Sequence, residues 1–224
     1  MIDIKEIENQ IIYADCMDIL KELPDKCIDL VLTDPPYGID KYITNNGSLT
    51  PSNGNKFAIM YDKKRWDKKR PNKKIFDEIF RVSKNQIICG ANYFVEYLPI
   101  SRGWIFWDKM GDKMSSVNNE LIFTSFDKSI KTFRRCHGLD KGFMAKGINE
   151  VIHPTQKPLA LIEWLLRDYS NENDLILDCF SGSGTTAVAC HNLKRRFICI
   201  EKDYDYWKAS VERLENAQAQ MKLF

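Results

Sequence analysis

Short aliphatic runs alternate with segments of helical periodicity along this chain. The runs predict strands at residues 11–13, 28–33, 86–90, 103–108, 121–126, 174–180 and 196–200. Apolar residues at helical spacing predict helices at 16–23, 75–82, 91–98, 159–166 and 187–193, and a charged helix follows the last strand. Because strands and helices alternate, the pattern predicts a single α/β domain over residues 1–224 with a doubly wound, mostly parallel sheet.

The strand at residues 28–33 ends in a string of unusual chemistry. Its residues are mostly aliphatic or β-branched, which is typical of a strand buried on both faces, and Asp34-Pro35-Pro36-Tyr37 follows it directly. Proline lacks an N–H group and cannot continue the ladder, so the strand must end here. The Asp34 carboxylate therefore lies at the carboxyl end of a strand, where doubly wound proteins bind ligands.

This string suits a planar group that carries an amino group. The two prolines stiffen the turn, and the Asp34 carboxylate and the Pro35 carbonyl form a pair of acceptors beside the ring of Tyr37. Both protons of an NH2 group can be accepted while the ring that bears it stacks on the tyrosine. The alternative is structural: Asp34 only starts a turn, and Tyr37 only packs.

A second candidate site follows the strand at residues 174–180. Asp178 and Phe180 precede a glycine turn that opens a helix, Gly182-Ser183-Gly184-Thr185-Thr186. Glycines let the backbone approach a ligand closely, and the helix offers free N–H groups at its start. Glu201, at the end of the next strand, can accept hydrogen bonds from both hydroxyls of a ribose.

The details of this turn favour S-adenosylmethionine over a dinucleotide. The third glycine of the dinucleotide fingerprint is absent, and an acid before the turn suits a cationic amino-acid group better than a pyrophosphate. An ordinary glycine turn in a β-α-β unit is the alternative interpretation.

Two polar segments interrupt the alternation of strands and helices. Residues 39–60 follow Tyr37 without a convincing period, which favours either a mobile loop that orders on substrate or a surface insertion. Residues 128–150 are basic and contain glycine, and they are the candidate for a small target-recognition insertion.

The net charge of +2 hides two basic clusters. Residues 61–74 contain eight lysines and arginines but only two aspartates. Residues 127–146 contain six lysines and arginines and two aspartates. Clusters of this kind favour a polyanion such as DNA as partner, although a solvated helix face has the same pattern.

Composition also bears on location and on metal binding. The seven cysteines are odd in number and form no C-x-x-C pair, and the three histidines are far apart, so we expect buried thiols in a reducing cytoplasm and no metal site. No apolar run is long enough to enter a membrane.

The two candidate sites together resemble those of the β class of DNA amino-methyltransferases. In that class the catalytic Asp-Pro-Pro-Tyr motif precedes the cofactor turn. Asp34-Pro35-Pro36-Tyr37 matches the first motif, residues 178–186 match the second, and His153-Pro154-Thr155-Gln156-Lys157-Pro158 matches the segment before the second.

This resemblance implies a Rossmann-like methyltransferase sheet with permuted motif order, in which the strand of Asp178 lies beside the strand of Asp34. It also implies that Asp15 and Cys16 meet the adenine of S-adenosylmethionine. Thr155 and Lys157 are implied to lie near its methionine end.

The implied activity is site-specific methylation of the adenine N6 amino group in DNA, as in restriction-modification systems. The base would be flipped out and stacked on Tyr37. A homodimer, as in relatives, is allowed, and few residues remain for a separate recognition domain. Cytosine N4 is the alternative target. The family's cytosine enzymes usually carry serine at the position of Asp34, so the aspartate in this chain favours adenine.

Other activities remain open on the sequence alone. Methylation of RNA or of a protein glutamine is one, although the glutamine enzymes usually carry asparagine in place of Asp34. A catalytically inactive, cofactor-dependent DNA-binding module is another. A nicotinamide dehydrogenase leaves the Asp-Pro-Pro-Tyr motif unexplained.

Overall fold

The computed structural model describes residues 2–38, 69–109, 119–135 and 156–221. Its helices are α1 (Ile4–Ile7), α2 (Cys16–Glu22), α3 (Lys73–Val82), α4 (Leu159–Tyr169), α5 (Thr185–Asn192) and α6 (Tyr204–Met221). Its strands are β1 (Gln10–Tyr13), β2 (Ile28–Thr33), β3 (Ser83–Ile88), β4 (Trp104–Asp108), β5 (Glu120–Thr124), β6 (Lys131–Arg134), β7 (Leu175–Asp178) and β8 (Arg196–Glu201). None of the described helices is both long and apolar enough to cross a membrane. The predicted loop at residues 39–60 and Thr155 lie outside the described residues.

The described strands form one sheet in the order β1-β8-β7-β2-β3-β5-β4-β6. Neighbouring strands run parallel except at β5, which is antiparallel to both β3 and β4. The predicted α/β fold with a mostly parallel sheet is therefore confirmed. Leu177 of β7 pairs with Val31 of β2, so the strands that lead to Asp178 and Asp34 are direct neighbours, as the resemblance implies.

Strand β2 is buried on both faces, as its continuous apolar run predicts. Leu30 and Leu32 pack into the cluster that includes α4, α5 and α6, whereas Ile28 and Val31 pack into the cluster that includes α2 and α3. Side chains alternate between the two faces of a strand, so a strand covered on both sides needs apolar residues throughout. Burial contributes about 1.5–3 kcal/mol for each such side chain, and it fixes the strand end that carries Asp34.

The predicted helix at residues 91–98 is wrong. Two short 3-10 turns, Ala91–Tyr93 and Val95–Tyr97, take its place. Gly90 before them has a left-handed conformation, and Phe94 between them departs from helical angles. Phe94 is fully buried and lies 5.1 Å from Phe76, measured between ring centroids, so packing of this ring overrides the local helical pattern.

The segment predicted as a recognition insertion begins with a strand of the sheet. Lys131–Arg134 pairs in parallel with β4, and Phe133 packs against Trp164 of α4. Its side chains alternate in burial, which is typical of an edge strand. Residues 136–150 lie outside the described part of the chain, so their role in recognition stays a prediction.

Candidate active site

Four acidic side chains meet at one edge of the sheet. Asp15 follows β1, Glu201 ends β8, Asp178 ends β7 and Asp34 follows β2. These four strands are consecutive neighbours and run parallel, so their carboxyl ends lie side by side. Residues from both ends of the chain therefore form one site.

Both oxygens of the Asp34 carboxylate accept hydrogen bonds from within the chain. The Tyr37 hydroxyl donates to Oδ1 at 2.6 Å, and Lys157 Nζ donates to Oδ2 at 2.6 Å. The strand end itself is held by the Cys89 amide, which donates to the Thr33 carbonyl at 3.0 Å. Asp34 is therefore a fixed acceptor, and Lys157 lies against it. Contact of Lys157 with the methionine end of a cofactor stays a prediction.

The Tyr37 ring is fixed from one side. It stacks on Tyr93 with a centroid distance of 4.6 Å and an interplanar angle of 16°. Gly90 makes room for it, because a Cβ at that position would lie 2.1 Å from Tyr37 Cε1. A planar ligand that stacks on Tyr37 would thus contact the ring face opposite Tyr93.

Glu120 belongs to this site although no sequence motif marks it. It is the first residue of β5, and because β5 runs antiparallel to its neighbours, its first residue lies at the edge where the parallel strands end. Glu120 is 6% exposed. Its carboxylate lies 3.1 Å from the Tyr37 hydroxyl, 2.9 Å from Lys109 Nζ and 3.4 Å from Lys157 Nζ.

Burial and nearby charges shift the pKa values of this cluster. Burial raises the pKa of Asp34, a shift that the Lys157 ammonium opposes and the Glu120 charge reinforces. Burial also acts to raise the pKa of Glu120, but Lys157 and Lys109 outweigh it and hold that pKa below its ordinary value. The two carboxylates raise the pKa of Lys157 against the effect of burial, and burial raises that of Tyr37. Lys157 and Tyr37 therefore both act as hydrogen-bond donors at neutral pH.

A thiol completes a group of three residues that could ligate a metal ion. Ligand atoms of Asp34, Cys89 and Glu120 lie within 4.8 Å of one another. Burial raises the pKa of the Cys89 thiol well above its ordinary value, and a protonated thiol is a poor ligand. The ammonium of Lys157 pairs with both carboxylates, so in this structure the cluster binds a cation supplied by the chain itself.

The predicted glycine turn leads into α5 and is largely buried. Gly182 and Gly184 have positive φ angles of 51° and 71°. Among the described residues no side chain caps the start of α5 at Thr185, and uncapped N–H groups of this kind can bind a ligand. A Cβ on Gly184 would lie 3.0 Å from the Cβ of Ser210, which shows how closely the turn packs on α6.

Arg213 of α6 supports this turn from behind. Its Nη1 donates to the Ser183 carbonyl at 2.9 Å and to the Thr185 hydroxyl at 3.0 Å. Burial lowers the pKa of Arg213 to about 10. The sequence motifs do not include Arg213, because an arginine in a charged helix has the pattern of a surface residue.

Asp178 joins three elements of the site. Its carboxylate accepts hydrogen bonds from the Thr33 hydroxyl at 2.8 Å, the Thr186 hydroxyl at 2.6 Å and the Phe180 amide at 3.1 Å. Burial raises the pKa of Asp178 to about 6. The residue therefore ties the end of β2 and the start of α5 to β7. Its predicted contact with a cationic group of the cofactor stays a prediction.

Two carboxylates lie at the ends of β1 and β8, where the sequence predicts contacts with a nucleoside. Glu201 accepts hydrogen bonds from the amides of Gly182 and Asp203, both at 2.8 Å, and burial raises its pKa. Asp15 caps α2 through one oxygen, and burial raises the pKa of the neighbouring Cys16 to about 12, so this thiol is neutral. Both carboxylates lie on the β8 side of the glycine turn, and Glu201 contacts it through Gly182. Their contacts with S-adenosylmethionine stay predictions.

Comparisons with known proteins agree with this chemistry. The sequence profile of the N6/N4 methyltransferases, described as DNA methylase, matches residues 50–212. The Type II methyltransferase M1.MboII from Moraxella bovis is 29% identical over 248 residues, which cover 88% of this chain and 93% of that protein.

Solved structures share the fold. The complex of M1.HpyAVI with S-adenosylmethionine has a TM-score of 0.56 at 23% identity and covers 92% of this chain and 98% of its own. The cytosine-N4-specific PvuII DNA methyltransferase has a TM-score of 0.56 at 15% identity, covering 93% of this chain and 89% of its own. At these identities the likeness is one of fold.

Proposed function

Because the chain belongs to the N6/N4 family of DNA methylases, we propose that it methylates the N6 amino group of adenine in DNA. It is a DNA methyltransferase, and its cofactor is S-adenosylmethionine. The choice of adenine rests on Asp34, because the family's cytosine enzymes usually carry serine at that position.

One observation carries the proposal. The Asp34 carboxylate lies at a rigid strand end and accepts a donor on each oxygen, one of them the nitrogen of Lys157 at 2.6 Å. A nitrogen donor thus fits beside Asp34, next to the ring of Tyr37. An adenine amino group requires the same two features, a strong acceptor and a stacking surface.

The chain's residues act on the amino group. The lone pair of the amino nitrogen is delocalised into the base. The amino group donates two hydrogen bonds, to Asp34 and to the Pro35 carbonyl, and these localise the lone pair on nitrogen. Tyr37 stacks on the flipped base and offsets part of its unpairing, which costs a few kcal/mol. Basic residues near the site neutralise DNA phosphates.

The cofactor supplies an electrophilic methyl group on a sulfonium. The start of α5, with its uncapped N–H groups, and the carboxylates of Glu201 and Asp15 would hold it beside Asp34. Since β7 and β2 are adjacent, the cofactor turn and the catalytic turn face the same volume, and positioning of the two reactants accounts for much of the rate.

The direct test is incubation of the purified chain with unmethylated DNA and S-adenosylmethionine, followed by mass spectrometry of the digested nucleosides. We expect N6-methyladenine. N4-methylcytosine would keep the enzyme class and overturn the base. The absence of any methylated nucleoside, on DNA of varied sequence, would favour the inactive-module hypothesis.

Two variants control this experiment. Asp34→Ala is expected to lose at least about 100-fold in rate while it still binds S-adenosylmethionine in calorimetry. Asp127→Ala changes a 79% exposed carboxylate that pairs with Arg102, away from the site, and should leave the rate unchanged. Equal rates for Asp34→Ala and Asp127→Ala would remove Asp34 from the mechanism.

A further inference from the structure

Lys157 lies between two carboxylates, the half-buried Asp34 and the buried Glu120. Its Nζ is 2.6 Å from Asp34 Oδ2 and 3.4 Å from Glu120 Oε1, and the side chains of Lys157 and Glu120 are 9% and 6% exposed. Lys109 binds the other oxygen of Glu120 at 2.9 Å. Two positive and two negative charges thus share this part of the site.

This arrangement conflicts with the arrival of a substrate. Tyr37 donates to Asp34 Oδ1 and Lys157 donates to Oδ2, so an amino group that binds Oδ2 in the position of the Lys157 nitrogen must displace that lysine. The Tyr37 hydroxyl has Glu120 as a second acceptor at 3.1 Å, but its ring is fixed by Tyr93. Lys157 has a longer side chain with more rotatable bonds, so its ammonium is the donor that can turn away from Asp34.

A buried ammonium cannot leave one carboxylate without meeting another. Separation of a buried ion pair leaves two unpaired charges, which is strongly unfavourable. Glu120 already lies within ion-pair distance of Lys157, so rotation about the last bonds of the lysine exchanges one partner for the other. Glu120 is held in place by a second partner, because Lys109 Nζ donates to its Oε2 at 2.9 Å.

We propose that Glu120 is a positioning residue for methyl transfer: it receives Lys157 when the target amino group displaces that lysine from Asp34. In the absence of DNA, Lys157 stands in for the substrate and keeps the Asp34 carboxylate paired. This inference rests on the proposed function, since it concerns the access of an amino group to the same acceptor.

Glu120→Gln tests the proposal. Glutamine keeps a carbonyl acceptor for the Tyr37 hydroxyl but lacks the charge that attracts Lys157. Lysine then remains on Asp34 and competes with the substrate. We expect the KM for DNA, and the Kd for DNA with S-adenosylhomocysteine bound, to rise about ten- to 100-fold. The KM for S-adenosylmethionine should not change.

A double-mutant cycle separates this role from a merely structural one. If Glu120 acts through Lys157, Glu120→Gln should change the Kd for DNA by less than about twofold in a Lys157→Met background. A full effect of Glu120→Gln in that background would overturn the proposal. The binding measurement needs no turnover, so it applies to inactive variants as well.

Two further variants guard against misfolding. Glu120→Asp keeps the charge, so its Kd for DNA should stay within about threefold of the wild-type value. If Glu120→Asp binds DNA as weakly as Glu120→Gln, the proposal fails. Glu163→Gln removes the charge of a half-buried carboxylate that accepts hydrogen bonds from Asn192 and Arg167. This variant should change neither the KM nor the Kd for DNA. Failure of the wild type to methylate DNA would overturn the proposed function, whereas methylation with an unaltered Glu120→Gln overturns only this inference.

Discussion

Gly90 shows how a single backbone position controls the catalytic turn. Its φ of 60° costs an alanine about 1 kcal/mol, and a Cβ would collide with the Tyr37 ring. We therefore expect Gly90→Ala to displace that ring and to reduce the methylation rate at subsaturating DNA at least about tenfold. Steady-state kinetics and thermal unfolding measure the two effects.

Asn173→Ala is the matched control for Gly90→Ala. Asn173 also has a positive φ, of 67°, but it lies in the turn before β7, at the opposite edge of the sheet. The Asn173→Ala variant should lose a similar amount of unfolding free energy and keep the full methylation rate. Equal losses of activity in both variants would show that backbone strain, rather than the Tyr37 contact, is responsible.

The buried carboxyl of Asp178 predicts a pH dependence of stability. Its pKa in the folded chain is about 6 against an ordinary 3.8, so folding favours the protonated form. The contribution of Asp178 to the unfolding free energy is therefore largest at low pH and is lost as pH rises through 6. Between pH 5 and pH 7.5 the loss is about 1 kcal/mol.

Urea unfolding of the wild type and Asp178→Asn at these two pH values measures that loss. The difference between the two proteins should change by about 1 kcal/mol from pH 5 to pH 7.5. Asp29→Asn is the control, because the pKa of Asp29 lies below its ordinary value and the residue stays ionised across this range. Parallel stability curves for wild type and Asp178→Asn would contradict the shifted pKa.

Residues of the site differ in how far the sequence reveals them. Asp34 and Tyr37 could be predicted because a buried strand that stops at two prolines has few other interpretations. Glu120 could not, because its place at the site depends on the direction of β5, which no local pattern specifies. Gly90 was hidden for a similar reason, since its role is set by a ring 53 positions earlier in the chain.

Among elements, α6 supports the cofactor turn through Arg213. Loss of its hydrogen bonds to Ser183 and Thr185 should loosen the turn before the cofactor binds. We expect Arg213→Met to raise the KM for S-adenosylmethionine about tenfold, with kcat unchanged once the cofactor saturates.

Arg195→Met is the control for Arg213→Met. Arg195 also donates to backbone carbonyls, those of Ser170 and Leu193, but it lies between α5 and β8, away from the glycine turn. It should lower the unfolding temperature without altering the KM for S-adenosylmethionine. A change in kcat alone for Arg213→Met would argue against a role in cofactor binding.

Elements with continuous apolar runs were predicted well, and those governed by distant packing were not. β2, β7 and β8 each lie in the buried middle of the sheet, so their composition alone indicates them. The turns at residues 91–97 and the edge strand β6 are short. The first segment is rich in aromatic residues and the second is mostly polar, so neither sequence indicates its structure. Their conformations depend on partners such as Phe76 and Trp164.

For the whole molecule, charge at the catalytic edge should control the affinity for DNA. Lys69 and Lys74 are exposed near the start of α3, which lies at this edge because α3 connects the parallel strands β2 and β3. Arg70 and Lys73 already pair with Glu96 and Asp77. The double variant K69E/K74E should weaken DNA binding about tenfold at low salt.

The salt dependence distinguishes phosphate contact from a general change in charge. The slope of log Kd against log salt should fall by about 2 for K69E/K74E. K5E/K21E makes the same change in net charge at the opposite edge, where α1 precedes β1 and α2 ends before β2, and it should leave the slope unaltered. Equal slopes for the two double variants would remove Lys69 and Lys74 from the DNA interface.

The pairing of β1 with β8 has a consequence for biosynthesis. Gln10 of β1 lies beside Ile198 of β8, and β2 has β7 on one side, so β1 and that side of β2 gain their neighbours only when the last strands emerge from the ribosome. Such a high contact order delays folding until translation is nearly complete. Chains stalled before residue 174 should remain sensitive to protease, and full-length chains should resist it. A half-made chain is then inert toward DNA, and activity begins only when β8 pairs with β1.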